Sequence, residues 1–408
     1  MVAYGEFRKP LSKDDHRIVF YGIRYWITLV AKKWTVDDVD KCEHFLSTHN
    51  LGSPYPFPKD LFFSFIKECD GHFPVEIEAL EEGSVIYPHV PVFQITASGK
   101  YAKLVTWLET ILTMLWYPSN VATLSRHTKD IIKKYYIKTV DPDQYSSLHT
   151  KLHDFGFRGC TCIEQSIIGG VAHLLNFSGT DTLSAAYHAQ YELNRGKPVG
   201  YSIPATEHSV MTSWKNEKAA ILNMINKYGT GVFACVMDSY NYLNALSEVL
   251  PSIAAEKVNK GGYLVLRPDS GDSVQTVLQG LRAAESVFGA VVNKKGYKVI
   301  QGCGIIQGDG IDKHIIEMIL KAAELEKYSA ENISFGMGGG LLQKHNRDTM
   351  SFATKLNFIE YATGEIKHVM KAPKTDSGKI SLPGELAVLE NKQGVLYANV
   401  VASCLPKE

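Results

Sequence analysis

Two different rhythms of apolar and polar positions divide this chain. Over residues 1–103 the apolar runs are short and broken by Pro and Gly, as at Pro54, Pro56 and Pro58, at Gly71-His72-Phe73-Pro74, and at Tyr87-Pro88-His89-Val90-Pro91-Val92. Alternation over Val75 to Leu80 and Val92 to Ile95 puts every second side chain on one face, as a half-buried strand requires. Val36 to Ser47 and Lys59 to Cys69 carry apolar residues at helical spacing instead. Val2 to Phe7 reads as a strand from the middle of a domain, so the chain is expected to begin inside one. Two longer helical patterns follow, Lys103 to Trp116 and Asn120 to Ile137.

From about residue 150 a short apolar run ends in Asp or Gly, an amphipathic helix follows, and the unit repeats. Leu174-Leu175-Asn176-Phe177 leads to Gly179-Thr180-Asp181, Val232 to Met237 ends at Asp238, and Tyr263 to Leu266 runs into Arg267-Pro268-Asp269. Ile305-Ile306-Gln307 leads to Gly308-Asp309-Gly310, and Ile333-Ser334-Phe335 to Gly336-Met337-Gly338-Gly339-Gly340, with helical patterns at Ser273 to Val287 and Lys313 to Leu325. Strand then helix, repeated, means parallel strands joined by crossovers. Polar residues gathered at the carboxyl ends of those strands are the arrangement of a β/α barrel mouth, and a doubly wound open sheet is the alternative. From Ser351 the text returns to strand-like alternation (Lys355 to Tyr361) and turns (Asp376-Ser377-Gly378-Lys379), which suits a tail packing back on the first domain. The expected division is a β-rich α+β domain from 1–145 and 351–408, and an α/β barrel domain over 146–350.

Composition narrows the function. Lys plus Arg and Asp plus Glu are 43 each, so no net field draws nucleic acid or an acidic membrane, and any anion site must be local. Seven scattered cysteines (42, 69, 160, 162, 235, 303 and 404) suit free thiols in a reducing compartment, and Cys160 and Cys162 lack zinc-knuckle spacing. Met1 to Lys13 lacks the apolar core of a signal peptide, and the most apolar stretch, Leu104 to Trp116, is interrupted by Glu109. The chain reads as cytoplasmic.

The candidate chemistry lies at the strand ends. Phe335-Gly-Met-Gly-Gly-Gly340 follows a strand, and consecutive glycines let backbone N–H groups close around a phosphate; the alternative is a flexible turn. It matches neither a Walker loop nor a dinucleotide fingerprint. Arg347 can add bidentate phosphate contacts or sit in solvent. Asp181, Asp238, Asp269 and Asp309 each follow an apolar run, where one aspartate alone is a helix N-cap, but four at successive strand ends converge on one mouth. There they can bond ribose hydroxyls, hold Mg²⁺ and stabilise positive charge developing on a sugar ring. Arg267 and Asp269 project to one side of an extended segment, an anion contact beside a hydroxyl acceptor. His208, in Ile203-Pro-Ala-Thr-Glu-His-Ser209, is a candidate nucleophile or a structural histidine, with Glu207 as a possible orienting group. In His153-Asp-Phe-Gly-Phe-Arg-Gly159, Phe155 can stack on a flat ring and Arg158 bind phosphate, or the segment is a strand-to-helix turn with a core Phe.

Together, Lys151-Leu-His-Asp-Phe-Gly-Phe-Arg-Gly159, Asn176-Phe-Ser-Gly-Thr-Asp-Thr182, Ile203 to Ser209, Leu266-Arg-Pro-Asp-Ser-Gly271, Ile306-Gln-Gly-Asp-Gly310 and Phe335 to Lys344 resemble the nicotinamide phosphoribosyltransferases, type II phosphoribosyltransferases of NAD salvage. The resemblance implies an irregular β/α barrel of the quinolinate phosphoribosyltransferase type, with a second β-rich domain formed from both chain ends. It implies a homodimer with shared active sites and a reaction of nicotinamide with 5-phosphoribosyl-1-pyrophosphate, driven by ATP through a phosphohistidine. By motif match it places Phe155 and Asp181 on nicotinamide, and Arg158, His208 and Arg267 in the phosphate and pyrophosphate region. Asp269, Gly308 and Asp309 fall to the ribosyl group, and Gly338, Gly339, Arg347, Lys355 and Lys371 to its 5′-phosphate. His208 matches the phosphorylated residue, with Asp238 and Asp269 beside Mg²⁺. A carboxylate at Asp181 suits an amide and repels the carboxylate of nicotinate.

The sequence departs from the family in three ways. It starts downstream of an Asp-Ser-Tyr-Lys segment whose tyrosine caps the nicotinamide ring, Gly304 replaces an arginine, and the carboxyl end is short. A nicotinate-specific enzyme and a non-catalytic, dimerising relative are the competing readings.

Overall fold

The computed structural model describes residues 1–53 and 55–400; Pro54 and Cys404 lie outside the described residues. The chain forms two compact units, Leu124–His345 and Met1–Thr123 with the segment from Asn346 onward. The other six cysteines are free thiols. No described helix is long and apolar enough to cross a membrane.

The unit Leu124–His345 is built on five parallel strands: β1 (Leu152–Asp154), β2 (Val232–Val236), β3 (Tyr263–Arg267), β4 (Cys303–Gln307) and β5 (Ile333–Met337). They lie side by side in the order β1-β5-β4-β3-β2, with Leu152 opposite Phe335, Ile305 opposite Ile333 and Val265 opposite both Gly304 and Ala234. β4 is buried at every position, as expected for a parallel strand covered on both faces. Single bridges then close the ring: Ala205 pairs with Ala234, Gly179 with Tyr201, and Asp154 with Thr180, all parallel. The result is a barrel whose circumference is a continuous five-strand sheet on one side and a seam of very short extended segments, around 178–181 and 201–206, on the other. The core inside includes Ala234, Val265 and Ile306, packed with Phe155, Ile203 and Tyr263.

The helices follow from apolar spacing and from caps. Ser273–Phe288 buries Val277, Leu281 and Ala284, and Lys313–Leu325 buries Ile316, Ile319, Leu320 and Ala323, one stripe each. Asp272 caps the first by accepting from the Val274 and Gln275 amides, Asp312 caps the second through His314 and Ile315, and Asn241 caps the short helix Tyr242–Asn244.

Two expectations are corrected. Leu174 to Phe177 is not a strand: the helix Ile163–Leu174 takes up the start of that run, because its buried residues Ile168, Val171 and Ala172 keep a helical period. Lys103 to Trp116 is not one helix but the pieces Leu104–Trp107 and Glu109–Thr113, where the hydroxyls of Thr106 and Thr113 bond back to the carbonyls of Lys103 and Glu109. The following helix is long, Trp116–Thr139.

In the other unit, five antiparallel strands draw on both chain ends. Val2–Phe7 lies centrally, with Pro91–Thr96 and then Glu76–Ala79 on one side and Phe352–Glu360 and then Ile366–His368 on the other. Tyr4 sits opposite both Lys355 and Gln94. Beside the sheet, Val39, Phe62, Phe65 and Leu104 form a small core with Trp34, Phe57 and Phe73.

Candidate active site

The carboxyl ends of the barrel strands surround two adjoining cavities of about 300 and 360 Å³, which share Phe155, Arg158, Arg267 and Asp269. The first is floored by Ile203, Ala205, Ala234 and Ile306 and walled by His153, Asp181 and His208. The second is lined by Gly308, Asp309, Gly310 and Gly338 to Gly340. No glycine lines the first, whereas seven glycines line the second.

Phe155 follows β1, and its amide donates to the Met337 carbonyl at 3.0 Å. Its ring lies across Gly336, where a Cβ would come within 2.0 Å of a ring carbon, so only glycine leaves room for it. The Arg267 guanidinium sits 5.2 Å from the ring centre, a cation–π contact that holds both groups at the boundary of the cavities. Asp181 stands on the seam. Ser202 donates to one of its oxygens, and His153 Nδ1 lies 3.1 Å from the other. The carboxylate is thus oriented by two neighbours while about a third of it stays open. Beneath this wall, His173 is fully buried: its Nε2 faces the carbonyls of Leu152 and Gly179, and its Nδ1 faces the Ser125 hydroxyl. Burial pushes its pKa down to about 4, so a neutral imidazole braces β1 against the seam.

His208 opens the helix His208–Ser213 at the edge of the first cavity and is half exposed. Its Nε2 lies 3.1 Å from Asp238, and its Nδ1 3.9 Å from Asp269. Asp238 also accepts from the Asp269 amide at 3.1 Å and from the Ser270 hydroxyl. Asp238 is therefore the orienting group for His208; Glu207, considered for that role, instead accepts from Ser209. Arg267 donates to both oxygens of Asp269 at 3.0 and 3.1 Å, its Nε has no partner, and both side chains are mostly buried. A guanidinium and a carboxylate thus meet at the point where the two cavities join.

Asp181, Asp269, Asp309 and Gly339, far apart in the chain, border one continuous hollow, and none of the four strand-end aspartates caps a helix. Arg347, Lys355 and Lys371 belong to the other unit. There Lys355 is held below the usual lysine range, first by burial and then by the fields of Arg8, Lys371 and Arg347, with Glu109 opposing. Arg8 was not anticipated; it pairs with the buried Glu6 at 2.9 Å and leaves one terminal nitrogen buried without a partner. His153 and Ser202 were also missed, since a lone polar residue beside a strand carries no periodic signal. Only their contact with Asp181 reveals them.

Among the described residues, no group of three or more His, Cys, Asp or Glu could form a metal cage. Asp269 fits a Mg²⁺ that takes most of its ligands from water and phosphate oxygens, because its carboxylate borders both cavities. Asp238 does not fit as a direct ligand: it is 4 % exposed and its oxygens are engaged by His208, Asp269 and Ser270.

The pattern of the Nicotinate phosphoribosyltransferase (NAPRTase) family matches residues 150–396. A nicotinamide phosphoribosyltransferase of Xanthomonas campestris is 39% identical over 94% of this chain and 82% of its own length. One of Acinetobacter baylyi is 32% identical over 79% of this chain and 69% of its own. The crystal structure of nicotinate-nucleotide pyrophosphorylase from Pyrococcus furiosus covers 99% of this chain and 78% of its own with a TM-score of 0.60 at 15% identity, a likeness of fold. The barrel, its strand-end aspartates and these similarities place the chain in the nicotinate phosphoribosyltransferase family, enzymes of phosphoribosyl (pentosyl) transfer.

Proposed function

We propose that this enzyme joins nicotinamide to 5-phosphoribosyl-1-pyrophosphate, giving nicotinamide mononucleotide and pyrophosphate in NAD salvage. The observation that carries the reading is Asp181, an oriented carboxylate beside the Phe155 ring, opening into a cavity of glycines and aspartates. Phe155 stacks on the pyridine and Asp181 accepts from its amide. Asp269 and Asp309 hold the ribose, and Arg158 and Arg267 the pyrophosphate. Gly308, Gly338 and Gly339 let backbone approach the sugar phosphate. In the reaction the C1′–O bond to pyrophosphate breaks, its electron pair leaving with the pyrophosphate, and the pyridine nitrogen forms the new bond to C1′. The sugar carries positive charge as this happens, which the aspartates stabilise. Asp269 would hold a Mg²⁺, which would supply positive charge to offset that of the leaving group.

The reading couples this reaction to ATP through His208. With its Nε2 proton held by Asp238, Nδ1 is left with the lone pair that can accept a phosphoryl group. Labelled ATP should transfer its γ-phosphoryl group to the wild type and not to His208→Ala. The protein acts as a homodimer in which the cations Arg8, Arg347, Lys355 and Lys371 of one subunit serve the 5′-phosphate in its partner. Mixing the strongly impaired Asp269→Asn and Lys355→Ala chains should then restore activity in the hybrid. Both sequence character and the proposed reaction suit the cytoplasm.

Turnover of isotope-labelled nicotinamide against nicotinate tests the central claim. Asp181→Ser should raise the nicotinamide KM about tenfold or more, the loss of a hydrogen bond to a charged group, and leave the sugar donor KM unchanged. Preferred turnover of nicotinate, the compound that the family description names, with Asp181→Ser fully active, would replace the amide by the acid as substrate.

A further inference from the structure

Directly behind the wall shared by Phe155 and Asp181 sits a carboxylate that touches no cavity. Asp154, the last residue of β1, is fully buried. Its Oδ1 accepts from the Gly156 amide at 2.7 Å, which fixes the turn carrying Phe155. Its own carbonyl accepts from the Asp181 amide at 2.9 Å, and its amide donates to Gly179 at 3.3 Å. Oδ2 is buried without a hydrogen-bond partner, 3.1 Å from where a Gly170 Cβ would lie, with the Thr182 methyl bordering the same spot. The Thr182 hydroxyl, itself buried, is near enough to favour the ionised form but is not aligned to bond it. One residue thus ties the turn of Phe155 and the turn of Asp181 together.

We propose that Asp154 is a positioning residue that sets the separation between the Phe155 ring and the Asp181 carboxylate, and so governs the base half of the site but not the sugar-phosphate half. The inference rests on the function proposed above. Burial raises its pKa to about 6, with Asp181 adding to the rise and the Gly156 amide, Thr182 and His153 opposing it. Cys160 is the other titratable neighbour, beyond the Gly156 turn; Gly170 and Leu342, which approach from the adjacent helices, carry no charge. Because the folded pKa lies above the ordinary carboxylate value, the group favours folding fully below about pH 4, and that contribution is lost as pH rises through about 6. A chain that keeps this carboxylate ionised at neutral pH gives up stability for a charged acceptor at Gly156, which bonds more strongly than a neutral one.

The test compares the wild type with Asp154→Asn, which keeps an acceptor for Gly156 but stays neutral. In the wild type, the nicotinamide KM should rise about tenfold from pH 7 to pH 5 as the charged acceptor is lost, while the sugar donor KM moves less than about twofold. In Asp154→Asn, the nicotinamide KM should stand near the acid value at every pH, with a melting temperature at pH 7.5 equal to or above that of the wild type. A variant that follows the wild-type pH curve places the titration outside Asp154 and overturns the proposal, as does an equal rise in both KM values. A second arm needs no substrate. Hydrogen exchange at the Gly156 and Asp181 amides, corrected for intrinsic rates, should quicken together in Asp154→Asn and in the wild type below pH 6. Unchanged protection refutes the positioning role. If the wild type makes no mononucleotide from nicotinamide, the functional reading falls, and the exchange data still decide the role of Asp154.

Discussion

The two sides of the barrel mouth are built in opposite ways. On the continuous side, β3, β4 and β5 deliver Asp269, Asp309 and the Gly338 to Gly340 run from a sheet paired along its length. On the seam side, Asp181, Ser202 and Ile203 stand on segments that join the ring by single bridges. The continuous side offers backbone and carboxylates to a ligand rich in oxygen. The seam, with Phe155 at the adjoining end of β1, offers an oriented acceptor and an aromatic face to a flat one. A groove that must wrap phosphate requires rigid main chain, whereas selecting between two similar rings requires side chains that can be exchanged.

That contrast can be tested at four points, beginning with the largest effect. Asp269→Asn, at the junction, should lower kcat/KM about a thousandfold by removing charge stabilisation of the sugar, with folding intact. A loss under tenfold would separate Asp269 from the reaction. Next is the brace under the seam. Because His173 is neutral in the fold with a pKa of about 4, against about 6.5 unfolded, its contribution is complete above pH 6.5 and is lost as pH falls towards 4. The loss should reach roughly 3 kcal/mol, read from urea unfolding at pH 7.5 and pH 4. His173→Gln, which does not titrate, should show a flatter dependence by that amount, and an identical slope would assign the acid sensitivity elsewhere. Third, Gly336→Ala puts a methyl into the Phe155 ring, so the nicotinamide KM should rise about thirtyfold and stability fall by about 1–3 kcal/mol. An unchanged KM would mean the ring is free to move. Smallest is Gly339→Ala: its methyl would meet nothing closer than the flexible end of Gln343 at 3.5 Å, so the melting temperature should hold. Any change should be a rise of about threefold or less in the sugar donor KM, and a large shift in nicotinamide KM would erase the division between the two sides.

The continuous side was the legible one. Four of its five strands, β2 to β5, are short, mostly apolar runs followed within two residues by Asp or Gly, and the helix Lys313–Leu325 begins and ends where its apolar stripe does. The family motifs were likewise readable, because glycines and aspartates at strand ends are chemically constrained. The seam was not legible. One or two extended residues have no period to detect, and the nearby Leu174 to Phe177 attracted the strand assignment that belonged to Gly179 and Thr180. Pairs such as His153 with Asp181, or His208 with Asp238, join positions about thirty residues apart, a proximity only the folded ring creates.

The strand-end aspartates gave the hardest choice, since an aspartate after a strand is also what caps a helix. The structure divides the two tasks. Asn241, Asp272 and Asp312, each three residues beyond Asp238, Asp269 and Asp309, cap the helices and leave the earlier carboxylates free for other work. Chemistry and shape therefore have separate keepers in these loops. A variant that has lost the reactive carboxylate keeps every cap, so the silenced molecule should circulate in the cell for as long as its working counterpart.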